Sequence, residues 1–229
     1  MSFESVKQLV AEDLREVDRV IRERLASDVV LVNQVAEYIV GSGGKRLRPL
    51  VTVVAARACG CKDNRHTVAA AVIEFIHTAT LLHDDVVDGS ELRRGRDTAN
   101  SVWGNGASVL VGDYVYSRAF EMMVSLGSMR IMDVMASATN KIAEGEVLQL
   151  MNAHDPSTTE QRYFDVIYRK TAKLFEAGTQ VAAILADAPP HIEQAMLRYG
   201  KHLGTAFQLI DDVLDYRADR TELGKNLGD

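Results

Sequence analysis

The chain is poor in the residues that break or staple a fold. Of its 229 residues only 4 are proline, 2 are cysteine and 1 is tryptophan. So few prolines leave long stretches free to run as helix without losing backbone donors. The two cysteines, Cys59 and Cys61, stand two positions apart with no second pair elsewhere, which excludes a four-ligand zinc site. We read them as reduced thiols packed like small apolar groups. No apolar run reaches the roughly 18 residues needed to span a bilayer. The opening stretch, MSFESVKQLVAEDLREVD, is amphipathic and acidic rather than basic and then apolar, so it is no secretion signal, and a cytoplasmic protein is expected. An excess of positive charge is missing too. With 26 Lys and Arg against 32 Asp and Glu, the net charge is −6, which argues against general nucleic-acid binding.

What remains is ordinary for a folded domain, with 47% apolar and 25% charged residues. The length suits one large domain or two small ones, and we expect a single helical unit over 1–229. Apolar residues recur at three- and four-residue spacing. They predict helices over roughly 3–25, 28–41, 47–59, 64–89, 105–127, 129–153, 158–187 and 190–218. Ser27 or Asp28 is placed to cap the second and Asn64 the fourth, and Pro49 fits a first turn. The Val-rich stretches 29–35 and 51–54 favour strand by composition, but no hairpin turn joins them and their flanks keep helical period. The expected fold is all-α.

Two of these helices carry the same unusual pattern. The fourth contains Asp84, Asp85 and Asp88, and the last contains Asp211, Asp212 and Asp215, both as D-D-x-x-D. Residues four apart share a helix face, so Asp84 pairs with Asp88, and Asp85 is rotated from Asp84 by about 100°. His77 and Gln208, each seven residues before an aspartate, join these faces. Like charges at this spacing destabilise a helix, and Asp near a C-terminal end opposes the dipole. The apolar neighbours Leu81, Leu82, Val86 and Val87, and Leu209, Ile210, Val213 and Leu214, imply helices packed in a core. Buried carboxylates need partners or metals. Paired carboxylates with room for phosphate oxygens suit Mg²⁺. A single such cluster could equally be a solvated acidic helix end; two copies on apolar helices argue against that.

Basic residues lie where an anion would meet those carboxylates. Lys45, Arg46 and Arg48 open a helix behind Gly43-Gly44, and cations at a helix start make sense when an anion sits there. Lys45 and Arg48 are placed to share one face. Arg93 and Arg94 follow Asp88 closely, and guanidinium forks suit phosphate oxygens. Each basic segment taken alone could be a solvated loop.

The motifs GGKRLRP, LLHDDVVDGSELRRG, GDYVYSRAF, YRKTAKLFEAG, FQLIDDVLDY and GKNLGD occur in this order through nearly the whole chain. In this the sequence resembles the trans-isoprenyl (polyprenyl) diphosphate synthases, and IEFIHTATLLHDDVVD and IAEGEVLQLMN are most similar to the long-chain bacterial members that make octaprenyl diphosphate. The resemblance implies an isoprenoid-synthase-type helical bundle around a central cavity, and condensation of isopentenyl diphosphate with an allylic diphosphate such as farnesyl diphosphate. It implies two or three Mg²⁺ ions bridging the allylic diphosphate, held by Asp84 and Asp88, with Asp85, and by Asp211 and Asp215. Lys45, Arg48, His77 and Arg94 would bind isopentenyl diphosphate. Arg93 would contact the allylic diphosphate, and Lys170, Thr171, Gln208 and Lys225 would contact substrate diphosphates. Asp84, Asp88, Arg93, Lys170 and Asp211 would form the catalytic set. A homodimer and a role in quinone side-chain synthesis are expected on the same ground.

No protein nucleophile or base is required, so neither Glu74 nor His83 is assigned one. Residues four, five and eight before Asp84 are Thr80, Ala79 and Ile76, none aromatic, so a long product could grow past them. Met122, Met123, Met132 and Met135 could floor that path or simply fill the core. Members of the family continue beyond Gly228-Asp229 with a second Asp and more helices, so the sequence reads as incomplete at its C-terminus. Two other functions compete: a non-catalytic subunit of a heteromeric synthase, and a helical metal-binding or phosphohydrolase protein. Intact aspartate clusters count against the first, and the Lys45/Arg48 turn against the second.

Overall fold

A helix that is apolar on all sides belongs in the middle of a bundle, and the stretch TVAAAVIEFIHTATLL sits there. The computed structural model describes residues 2–41, 44–153 and 155–217. In it α5 (Arg65–Val87) buries Ala69–Ile73, Phe75, Ile76, Ala79 and Leu82. Its small residues admit close neighbours, and α2 (Ala11–Leu25), α4 (Leu47–Ala58), α7 (Asn105–Ser125) and α10 (Lys173–Leu185) all pack on it. α8 (Met129–Asn152) and α11 (Pro190–Arg217) flank α10, while α1 (Phe3–Leu9), α3 (Val30–Gly41) and α9 (Glu160–Ile167) complete the bundle. The all-α expectation holds. Among the described residues no helix is long and apolar enough to cross a membrane.

Four local departures have physical causes. The first expected helix breaks at Val10 (φ −123°, ψ 24°), which turns that side chain into the core between α1 and α2. Asn64 does not cap α5 with its side chain; the neighbouring Asp63 accepts from Arg65 N at 3.0 Å instead. The expected helix 158–187 runs from Glu160 to Leu185, but its turn Tyr168–Ala172 is π-helical. One extra residue in a turn leaves no mark in apolar periodicity. The arginine-rich loop after α5 is a tight hairpin, with β1 (Leu92–Arg93) antiparallel to β2 (Arg96–Asp97) and Arg93 opposite Arg96. Its two turn residues, Arg94 (φ 55°) and Gly95 (φ 74°), both take positive φ, the geometry of a two-residue hairpin turn. Arg in place of the usual Asn or Asp hid it. Thr98 follows, donating to Ser90 O at 2.7 Å, and leads into the short α6 (Ala99–Trp103).

Candidate active site

The C-terminal end of α5 gathers negative charge. Asp84 is largely buried, and Asp88 ends the helix with its backbone N–H on Asp84 O at 2.8 Å, its side chain exposed. Burial pushes the Asp84 carboxyl up to about 7, and Glu146 and Asp88 push the same way, against Lys170. Asp85 points elsewhere. It is fully buried and takes Arg93 Nε at 2.7 Å and Nη2 at 2.6 Å, tying the hairpin to α5. Thus the 100° rotation separates Asp85 from the Asp84–Asp88 face, as spacing predicts.

The π-helical turn stands across from Asp84. Lys170 Nζ lies 3.6 Å from Asp84 Oδ2 and 2.7 Å from Glu146 Oε2 on α8. The next residue, Thr171, donates to Gln208 Oε1 on α11 at 2.8 Å. Two adjacent side chains of one turn therefore reach the two aspartate-bearing helices. An extra residue in a helical turn is a frequent mark of functional sites. On α11, Gln208 Nε2 donates to Asp212 Oδ1 at 2.8 Å, and Tyr163 O–H donates to Asp212 Oδ2 at 2.5 Å. Asp212 is thus taken up by neighbours. Asp211 lies near enough to Arg48 to favour its charge, and both Asp211 and Asp215 are partly buried.

Positive charge collects around His77, nearly two turns before Asp84 on α5. Arg46 pairs with Glu74 at 2.6 Å. Arg48 donates to His77 Nε2 at 3.1 Å, with its guanidinium carbon 4.9 Å from the Phe175 ring centre and 5.8 Å from that of Phe207. Its Nε is buried with no hydrogen-bond partner among the described residues. Burial pulls Arg48 down to about 10. His77 is held well below its usual range by burial and by Arg48, Arg94, Arg93 and Arg46, so it is neutral and its Nε2 accepts. Arg94 folds back from the hairpin onto Gly44, where an added Cβ would sit 2.7 Å from its Nη1. Lys45 is exposed beside them. Lys225 lies outside the described residues.

Pattern reading did not single out Glu146, Phe175, Phe207 or Glu74 for these roles. Glu146 sits in IAEGEVLQLMN, where an acidic pair around a glycine was the available signal. Ile76, Ala79, Met122, Met123 and Met135, expected either to line a product path or to fill the core, are fully buried in one apolar core. The donor set fits Mg²⁺: carboxylate oxygens, few in number, with cations opposite to hold phosphate oxygens.

The helical bundle gathers carboxylates around Lys170 and cations around His77, and comparisons with known proteins give its family. The polyprenyl synthetase family matches residues 29–229, and the chain belongs to that family of prenyltransferases. It is 59% identical over 229 residues to octaprenyl diphosphate synthase of Escherichia coli K12, covering all of this chain and 71% of that protein. It is 50% identical over 221 residues to the geranyl-diphosphate-specific all-trans-nonaprenyl-diphosphate synthase of Rhodobacter capsulatus, covering 96% of this chain and 68% of that one. The crystal structure of polyprenyl synthase from Caulobacter crescentus CB15, complexed with calcium and isoprenyl diphosphate, superposes with a TM-score of 0.96 at 48% identity, over 99% of this chain and 69% of that one.

Proposed function

We propose that the chain is a single helical domain that condenses isopentenyl diphosphate with an allylic diphosphate, farnesyl diphosphate in the first instance, to a long all-trans polyprenyl diphosphate of about eight isoprene units. The length follows the Escherichia coli relative. The observation that carries the reading is the separation of charge: Asp84, Asp88 and Glu146 around one lysine, apart from a half-buried Arg48 that bonds no carboxylate among the described residues. A diphosphate with its metal completes both halves at once.

In this reading Asp84 and Asp88 would hold one Mg²⁺, Asp211 and Asp215 would hold a further ion, and Asp85 serves by fixing Arg93. Bound ions would supply Lewis-acid stabilisation of the leaving diphosphate. Lys170 and Arg93 add positive charge where the diphosphate departs, which favours the transition state over the ground state. Thr171, Gln208 and Lys225 contact the diphosphates. Arg48, Arg94, Lys45 and neutral His77 hold isopentenyl diphosphate so that its double bond faces the allylic carbon. The C–O bond breaks, the new C–C bond forms, and departing pyrophosphate takes the proton lost from the adduct. Ile76, Ala79 and Thr80 keep water from the cation. A homodimer in the cytoplasm, supplying the side chain of a quinone, completes the proposal.

The test is Mg²⁺-dependent incorporation of labelled isopentenyl diphosphate into farnesyl diphosphate, with products sized by chromatography. A ladder ending near eight units supports the reading. No incorporation by the chain alone, with activity restored only by a second subunit, replaces it with the partner-subunit reading.

A further inference from the structure

Glu144-Gly145-Glu146 on α8 grips the π-helical turn. The two backbones touch at Gly145, where a Cβ would come within 2.7 Å of Arg169 Cβ and 2.9 Å of Lys170 N. On one side of that contact Glu144 Oε2 meets Arg169 Nη1 at 2.5 Å, and Asp165 holds the same arginine at 3.0 Å. On the other side Glu146 Oε2 meets Lys170 Nζ at 2.7 Å. The lysine is then 3.6 Å from Asp84 Oδ2, beyond hydrogen-bond distance. So the ammonium lies against two carboxylates, which also interact with each other, and it is bonded to Glu146 rather than to Asp84.

We propose that Glu146 is a positioning residue that holds Lys170 off Asp84 and so keeps Asp84 open to a divalent cation; this rests on the reading of Asp84 as a cation ligand. A lysine ammonium is a compact charge on a flexible stem and settles on whichever carboxylate is left to it. With the Glu146 carboxylate removed, the ammonium closes on Asp84 and any cation must displace it. Glu144, which meets Arg169 together with Lys141 and Asn140 of its own helix, supports the turn and bonds neither Lys170 nor Asp84 among the described residues.

The experiment measures Mn²⁺ binding to the whole chain with inorganic pyrophosphate, reading free Mn²⁺ by electron paramagnetic resonance with no turnover involved. Glu146→Gln should raise the Mn²⁺ Kd about tenfold, the low end of what losing a partner that orients a metal ligand costs. Glu144→Gln should leave that Kd unchanged. In a Lys170→Met background, where no ammonium competes, adding Glu146→Gln should change nothing further. Wild-type Kd in Glu146→Gln overturns the proposal. So does an equal shift in Glu144→Gln, which makes the effect one of folding, or an undiminished shift in the Lys170→Met background, which makes Glu146 a ligand. Wild-type chain that retains no Mn²⁺ removes the cation-ligand reading itself, a result distinct from the other three.

Discussion

The two ends of α5 treat charge in opposite ways. At the N-terminal end, Asp13 of α2 accepts Arg57 Nε at 2.8 Å and Nη2 at 2.5 Å and lies 3.0 Å from His66 Nε2, while His66 Nδ1 lies 2.7 Å from Asp63 O. Every group there has a bonded partner of complementary kind, and the hydrogen bond from Arg57 holds Asp13 below the usual carboxylate range. About 27 Å along the same helix, Asp84 shares one lysine with Glu146 and Asp88, and burial pushes it up rather than down. Both ends are partly buried and both are ionic. Balance at one end marks a clamp between helices; imbalance at the other marks a place that a ligand completes. Perturbed carboxylates alone do not separate structure from function, but the sign of the perturbation does here.

Mutations that exchange the two behaviours test the contrast. Asp84→Ala is expected to lower turnover by orders of magnitude with the fold intact, measured by isopentenyl diphosphate incorporation beside circular dichroism; near-normal turnover would remove Asp84 from the metal site. Asp13→Ala should do the reverse. It leaves Arg57 and buried His66 without their carboxylate, and should cost about 2 kcal/mol in denaturant unfolding while turnover per folded molecule stays unchanged. A drop in turnover with unaltered stability would erase the distinction between the ends. Arg48→Lys is a smaller, sharper probe. The guanidinium lies over Phe175 and Phe207 and reaches His77, which an ammonium cannot reproduce. A roughly tenfold rise in KM for isopentenyl diphosphate with little change in kcat is expected, the loss of one good charged contact.

Much of this was legible in the sequence, and the reasons differ by residue. The Asp84–Asp88 face and the rotation of Asp85 follow from 3.6 residues per turn, so spacing alone located them. The helical fold followed from apolar periodicity for the same reason. Glu146 was not legible, because its meaning depends on Lys170 in an element twenty-four positions later, and on a π turn that periodicity does not register. Neither was the hairpin that fixes Arg93, since Arg94 at positive φ breaks the usual turn composition. Phe175 and Phe207 carry no mark in the sequence, and only packing reveals Arg48 beside them and His77. Pattern finds side chains that share an element; it does not find those that meet through the fold.

The smallest expected effect concerns stability against pH without ligands. Asp13 has a lowered folded-state pKa, so its contribution is present above the ordinary carboxylate value and is lost as pH falls below it. Asp84 has a raised one, about 7 against 3.8. Its protonated form is the one the fold favours, so stability declines as pH rises from about 4 to about 7 and is level above. The two groups therefore oppose each other on either side of pH 4 and favour a mildly acidic optimum. Allowing for the partial exposure of Asp84, the decline should be on the order of 1–2 kcal/mol. Melting temperature of the metal-free chain should thus fall between pH 5 and pH 7.5. Asp84→Asn, which cannot ionise, should flatten that slope and exceed the parent in stability at pH 7.5 while losing turnover, the usual exchange where a strained site serves function. Mg²⁺ with pyrophosphate should flatten the slope in the parent and leave Asp84→Asn unmoved. A parent curve that stays level or rises over this interval would mean that Lys170 already neutralises Asp84, and the imbalance that sets this end of α5 apart would be gone.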